Sequence, residues 1–359
     1  FRSGSMRGSP SSWRGAMRGA QRPCQGPLHI CCADRPSGRR SAASLGGQLL
    51  SLPPFERLAL LRSDPRVRSE WQAYVHQHQL QVAEGPPHVQ QLIRWCTARH
   101  VLVSPFVEIR RTRTAGLGLF ARHSIPRHTV LVAVPDTATL VVPQKEVPSE
   151  NACSAFMRNM DIAALVLLHT ASDADNPLHG YVRFLQDNPL PRNAPLLEDW
   201  DFKSDCPEVQ LHVYFRQLLR SYATTHPVIS RFGEDPYCWA ISTFLSRATG
   251  GAAEHNVLVP ILDLINHGGA QANVVPVRPT TTLTDANLMA GVAQDLVTPH
   301  IHLVAVMDVA AGEQLLGVYS DVECVSDPGK DFWQYRWGFV PPHDMGTLSR
   351  SDLLQMLGS

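Results

Sequence analysis

Lysine is nearly absent from this 359-residue chain: it occurs only at Lys145, Lys203 and Lys330, so its 32 basic residues are almost all Arg. They are balanced by 32 acids, for a formal net charge of zero. Nothing in that total demands nucleic acid or a membrane surface. Cysteine is sparse and scattered, at Cys24, Cys31, Cys32, Cys96, Cys153, Cys206, Cys238 and Cys324. None of these forms a Cys-x-x-Cys pair, so the closely spaced thiolates of a structural zinc cluster are missing. Reduced, mostly buried thiols of an intracellular protein are expected instead. A run of about 18 apolar residues is also lacking, and no membrane span is expected. A hydrophobic content of 44% suits a globular chain with a sizeable core.

Acids are scarce at the start. Residues 1–48 hold Arg2, Arg7, Arg14, Arg18, Arg22, Arg35, Arg39 and Arg40, many Ser and Gly, and a single acid, Asp34. This is the composition of an organellar transit peptide, the mitochondrion being one destination. A disordered basic tail is the plainer alternative. With too few apolar residues to fold alone, an ordered form of this segment would need a partner to hold it.

Periodicity divides the rest. Residues 49–105 read as N-terminal helices. Phe55, Leu58 and Leu61, then Val67, Trp71 and Val75, recur at helical spacing with Pro65 between them. A further helix over 87–99 follows Pro86-Pro87, with Val89, Leu92, Ile93 and Cys96 on its apolar face. Over 106–145 the period shortens. Phe106–Ile109, Thr129–Val134 and Leu140–Val142 are β-branched runs that predict a small β-meander. Residues 146–238 return to helix, clearest at Ala163–Leu168 and Val209–Leu219. Over 239–341 short strands resume at Val257–Val259 and His302–Val306, with a polar loop or hairpin at 268–300. Residues 342–359 read as a C-terminal tail. No internal repeat stands out. The class is α+β, small sheets interrupted by a helical insert.

Four segments hold residue types that suit chemistry. Ala115-Gly116-Leu117-Gly118-Leu119-Phe120-Ala121 has two Gly one residue apart, which lets a backbone turn tightly and approach a ligand. The third Gly of a dinucleotide fingerprint is absent. Alone, this is an ordinary turn. Trp239–Arg247 predicts a helix with Arg at its end, suited to bidentate pairing with a carboxylate, or simply a surface Arg. Leu258–His267 is an apolar strand ending in Asp263, Asn266 and His267, with Asn273 soon after. No second His or Cys stands at ligand spacing, which argues against a metal. Ala311–Tyr319 carries Gly312-Glu313-Gln314 into a strand that ends on Tyr319, with Trp337-Gly338-Phe339-Val340 later.

In this order the four segments resemble the SET domain of protein methyltransferases. The stretch His179-Gly180-Tyr181-Val182-Arg183-Phe184-Leu185-Gln186-Asp187-Asn188-Pro189-Leu190-Pro191 is similar to the insert motif of the Rubisco large-subunit lysine methyltransferase-like group. The resemblance spans roughly residues 86–341 and implies a split SET fold with S-adenosylmethionine as cofactor. It implies that backbone around Ala115, Gly116 and Leu117 holds that cofactor, that Arg247 engages its carboxylate, and that Asn266 and His267 bind its adenosine part with Phe339 packed against it. Asp263 would line the target-amine side, and Tyr319 would be the central catalytic residue. The implied reaction is methyl transfer to Lys, less readily His, of a protein substrate. No metal is required.

The chain departs from that group in places. A Ser-Asn-Ala-Glu stretch frequent after the Tyr is here Asp327-Pro328-Gly329-Lys330-Asp331-Phe332. A second Arg found four residues after the first in some relatives is Gly251. Relatives usually continue into a helical substrate-binding domain, whereas this sequence stops at Ser359. These departures, with the basic first segment, support an alternative: a SET-fold structural subunit of a larger protein or ribonucleoprotein assembly, with catalysis reduced or lost.

Overall fold

A computed structural model describes residues 48–49, 52, 54–77, 87–112, 115–143, 152–188, 221, 224–250, 255–278, 300–319, 330, 333–334, 336–341 and 348–358. Contacts divide the chain into Phe1–Arg40 and Ser41–Ser359, and every described residue belongs to the second unit. The Arg-rich segment 1–47, the expected helix at 209–219, all of the altered segment 327–332 but Lys330, and Gly251 lie outside the described residues.

Pro65 does not merely interrupt the first helical stretch. It opens the second of two helices, α1 (Pro54–Ser63) and α2 (Pro65–Gln77). Proline suits a first helical position because no amide proton is needed there. Asp64 caps the turn: its Oδ1 accepts from the Arg66 amide at 2.8 Å and the Val67 amide at 3.4 Å. Helix α3 (Pro87–Ala98) buries Val89, Leu92 and Cys96. Burial pushes the Cys96 thiol up.

The β-structure consists of small sheets. Strands β1 (Leu102–Val103), β2 (Val107–Arg111), β3 (Leu117–Ala121), β4 (Val130–Pro135) and β5 (Leu140–Pro143) come first. After the helices α4 (Ala152–Ser172), α5 (His179–Asp187) and α6 (Glu234–Arg247) come β6 (Thr249–Gly250), β7 (His255–Leu258), β8 (Asn266–His267), β9 (Val274–Val277), β10 (His300–Ala305) and β11 (Leu316–Gly317). The largest sheet has the order β1-β4-β10-β9 and is antiparallel throughout. Its inner strand β4 is buried at every position, which explains the unbroken apolar run.

The expected meander is corrected. The three runs of 106–145 enter three different sheets: β2 pairs with β3, β4 with β1 and β10, and β5 with β7. Alternation marks a strand but not its partner, and β7 and β10 lie more than a hundred positions downstream of their partners. The polar stretch 268–300 contributes a strand, β9, that pairs antiparallel with β10; residues 279–299 lie outside the described residues.

Residues 350–358 are a helix rather than a tail: α7 (Arg350–Gly358) docks through Leu353 onto Ala272, Val275 and Val306. A capping box starts it. The Ser349 amide donates to Asp352 Oδ2 at 2.8 Å, and the Asp352 amide donates to Ser349 Oγ at 3.1 Å. The pattern Ser349-x-x-Asp352 before an apolar stripe is the sequence signal that marks it.

The helical insert packs closely on the N-terminal helices. Gly180 of α5 lies so near α3 that a Cβ there would fall 2.5 Å from Trp95 Cδ1. Trp95 stacks on Tyr181 at 5.8 Å between ring centroids and donates from Nε1 to the Pro177 carbonyl at 3.1 Å.

Candidate functional site

The apolar strand expected to end on Asp263 ends earlier. Strand β7 stops at Leu258, and Pro260 with Ile261 turns the chain. Ile261 has φ +69°. A β-branched residue in the left-handed region costs of order 1–3 kcal/mol. The turn delivers Leu262–Leu264 as a short 3-10 helix, and with it Asp263 points inward. Strand β8 follows, paired in parallel with β11 so that Asn266 lies opposite Leu316 and His267 opposite Gly317. Asn273 clamps this pair from the side: Oδ1 accepts from the Leu316 amide at 2.9 Å and Nδ2 donates to the Gln314 carbonyl at 3.0 Å.

Asp263 is the buried hub, with its side chain 1% exposed. Arg247, the last residue of α6, places Nη1 3.5 Å from Asp263 Oδ2 and donates to the Asp263 carbonyl at 3.0 Å. From the insert, the Tyr181 hydroxyl donates to the same Oδ2 at 3.1 Å. Oδ1 is buried without a hydrogen-bond partner. Burial raises the Asp263 carboxyl above its ordinary value, opposed by Arg247 and by the Tyr181 hydrogen bond. Burial, and then the neighbouring Asp263, holds the Tyr181 phenol well above its ordinary range.

Tyr319 follows β11. Its hydroxyl donates to the Ile265 carbonyl at 2.8 Å and its amide donates to His267 Nδ1 at 3.3 Å. Burial pushes the Tyr319 phenol up to about 12, so it stays protonated and cannot act as a base near neutrality. Burial lowers His267 to about 4. The ring is therefore neutral at pH 7, and an accepting Nδ1 assigns its proton to Nε2. His267 packs at 4.6 Å on Trp333 and 5.5 Å on Tyr319, and Phe339 completes the aromatic group 6.4 Å from each of His267 and Tyr319. Phe339 remains 38% exposed.

The glycine-containing turn joins this group through Asn266, whose Nδ2 donates to the Leu117 carbonyl at 3.3 Å. Ala115 and Gly116 are exposed and Leu117 is buried. Gly116 has φ +75° with open space around it, so conformation dictates its identity. Gly118 is dictated by proximity: a Cβ would fall 2.7 Å from Gln314 Nε2 and 2.9 Å from Asn266 Nδ2.

Of the residues singled out in the sequence, Arg247, Asp263 and Tyr319 line one cavity of about 380 Å³. Ala115, Gly116, Leu117, Asn266, His267 and Phe339 do not line it; they reach it through the Leu117–Asn266 bond and the Tyr319–His267 contacts. Sequence reading gave no role to Tyr181, Arg336, Trp337 or Arg350. Tyr181 reaches Asp263 across 82 positions, and no local pattern signals such a pairing. Arg336, Trp337 and Arg350 also line the cavity.

A cavity of this size falls within the range of small-molecule sites, roughly 300–1,000 Å³. Arg247 uses Nη1 for both contacts with Asp263 and makes no other hydrogen bond among the described residues. A guanidinium has five donors, so a fork remains for a ligand carboxylate. These residues fit the amino-acid end of S-adenosylmethionine. Among the described residues, no group of three or more His, Cys, Asp or Glu is placed to hold a metal ion. No described helix is long and apolar enough to cross a membrane.

The backbone path is similar to that of solved SET-domain structures. The SET domain of LSMT bound to lysine and AdoHcy has 21% identity and a TM-score of 0.48, over 71% of this chain and 58% of that one. Rubisco LSMT bound to sinefungin and monomethyllysine has 19% identity and a TM-score of 0.47, over 72% and 57%. Rubisco LSMT bound to AdoMet has 18% identity and a TM-score of 0.45, also over 72% and 57%. This chain thus spans less than two thirds of those chains. Likeness of this degree is one of partial backbone path. No protein-family model matches the chain, and no curated protein matches it.

Proposed function

We propose that this chain has a SET-type fold, binds S-adenosylmethionine, and transfers its methyl group to a nitrogen of a protein substrate, Lys in preference to His. The observation that carries the reading is the convergence of Arg247, Asp263 and Tyr319 on one cavity, in the order and residue types of the SET motifs. Bound S-adenosylmethionine supplies a methyl group on a cationic sulfur, ready for direct displacement.

The protein's own part is positioning. Arg247 holds the ligand carboxylate with the guanidinium donors that Asp263 leaves unused. Ala115, Gly116 and Leu117 offer backbone groups. Neutral His267 and Asn266 bind the adenosine part, and Phe339 covers it. The Tyr319 hydroxyl, anchored on the Ile265 carbonyl, orients the incoming amine beside that carbonyl. Because this phenol keeps its proton, the amine reaches the cavity already neutral or loses its proton to water. The cavity contributes mainly by aligning nitrogen, methyl and sulfur.

Titration calorimetry with S-adenosylmethionine tests the reading, followed by a radiolabelled methyl-transfer assay on extracts with wild-type protein and Tyr319→Phe. Micromolar binding and Tyr319-dependent labelling are expected; no heat of binding overturns it.

A structural subunit of a larger assembly, with an organellar destination such as the mitochondrion, is the second reading. It draws support from the Arg-rich first 48 residues and from Gly251 in place of a second Arg. Stable co-purification at fixed stoichiometry, without turnover, would favour it; turnover by the isolated chain opposes it.

A further inference from the structure

The cavity wall contains a relay that starts outside the SET motifs. Asp263 Oδ2 receives two neighbours, the Tyr181 hydroxyl at 3.1 Å and Arg247 Nη1 at 3.5 Å. Tyr181 is fully buried on α5, between Trp95 of α3 and the carboxylate. Its ring is fixed by that stacking, and Trp95 is itself tied to the Pro177 carbonyl just before α5. The Tyr181 hydroxyl therefore cannot follow Asp263 if the carboxylate rotates. It defines one carboxylate rotamer, and that rotamer is the one that meets Arg247.

We propose that Tyr181 is a positioning residue, through which the helical insert locks the Asp263 carboxylate and so aims the Arg247 guanidinium into the cavity. With its other oxygen unpartnered, the carboxylate can turn part-way about its Cβ–Cγ bond until Oδ2 leaves Arg247; only a full half-turn, which exchanges two equivalent oxygens, restores the contact. The Tyr181 hydroxyl, bonded to Oδ2, opposes that partial turn. Its consequence for ligand binding rests on the reading of Arg247 as the group that holds the cofactor carboxylate. The lock itself does not.

The charged and titratable groups that face Asp263 are Arg247 from α6, Tyr181 from α5, Cys96 from α3 and Tyr319 beyond β11. Of these, Arg247 and Tyr181 favour its ionised form. Loss of the Tyr181 hydroxyl therefore moves protonation of Asp263 to higher pH, and with it the acid limb of any Arg247-dependent binding.

The test is a double-mutant cycle between Tyr181→Phe and Asp263→Asn in the full chain. Tyr181→Phe keeps the ring and the Trp95 stacking, so the fold is retained. With S-adenosylmethionine as probe, Tyr181→Phe is expected to raise Kd on the order of tenfold, the fold-change of one hydrogen bond to a charged group. It is also expected to shift the acid limb of binding upward in pH. In the Asp263→Asn background the same substitution is expected to change Kd little. An equal effect in both backgrounds, or none in the wild type, overturns the proposal, because a packing role would act independently of Asp263.

Nitrogen NMR of the Arg247 guanidinium provides a readout without the cofactor. Restricted rotation in the wild type and averaged Nη signals in Tyr181→Phe support the lock; identical spectra refute it. If the wild type binds no S-adenosylmethionine, the functional reading fails, and these spectra alone decide the lock.

Discussion

The Tyr319 hydroxyl donates to the Ile265 carbonyl across 2.8 Å, which ties the segment beyond β11 to the turn before β8. The bond spends the phenol's proton on the backbone of a residue that also lines the cavity, as Tyr319 does. Tyr319→Phe removes the donor and leaves a carbonyl without it. Stability is expected to fall by about 1 kcal/mol in urea titration. S-adenosylmethionine affinity is expected to change less than about threefold, with methyl transfer down on the order of a hundredfold, the cost of a misplaced reactant. A large change in affinity with normal turnover would contradict the role given to this hydroxyl.

Arg247→Met leaves the buried Asp263 carboxylate without its cation. A stability loss of about 3–5 kcal/mol is expected from an uncompensated buried charge. Adding Asp263→Asn to that variant should recover much of the loss, because both charges are then gone, without restoring cofactor binding. Urea midpoints for the two variants, set beside their binding isotherms, separate the structural effect from the functional one.

Two glycines should respond differently to Ala. At Gly180 the new Cβ meets the Trp95 ring at 2.5 Å, a rigid neighbour, and overpacking is expected to cost about 1–3 kcal/mol. At Gly116 nothing lies within 4 Å, but φ is +75°, so only the left-handed strain of about 1–2 kcal/mol applies. Thermal melts should show the Gly180→Ala loss accompanied by a change in Trp fluorescence, and the Gly116→Ala loss without one.

His267 takes up its proton only at about 4 when folded, against 6.5 when exposed. Between those values the unfolded chain binds more protons, so stability falls as pH drops from about 6.5 to about 4 and levels off below. His267→Asn should flatten that part of the stability–pH curve. An unchanged slope in the variant would assign the acid sensitivity elsewhere.

Much of the architecture was legible because the core follows simple periods. Trp71, Val89 and Leu92 lie on buried helix faces, and β4 is an apolar run buried on both sides. Pro65, Gly116 and Ser349 each stand where local backbone chemistry requires them. The Gly116, Arg247, Asn266 and Tyr319 segments could be singled out by residue type, as paired Gly, a helix-ending Arg, an Asn-His pair and a strand-ending Tyr, in an order that resembles the SET motifs. Helix α7 has its capping box, Ser349-x-x-Asp352, written in the sequence, but its short apolar stripe gives a weak periodic signal.

Pairing across distance was not legible. Whether Leu140–Pro143 joins β4 or β7, and whether Tyr181 meets Asp263, depends on which surfaces meet after collapse. Burial energy depends on area and shape rather than on order along the chain. The sequence by itself determined the alternation of helices with short strands and the residue types available for a carboxylate fork, a neutral ring and a phenol. Only the tertiary structure decided that Asp263 is buried between Arg247 and Tyr181, because a charge leaves water only where a guanidinium and a hydroxyl from separate elements already wait for it.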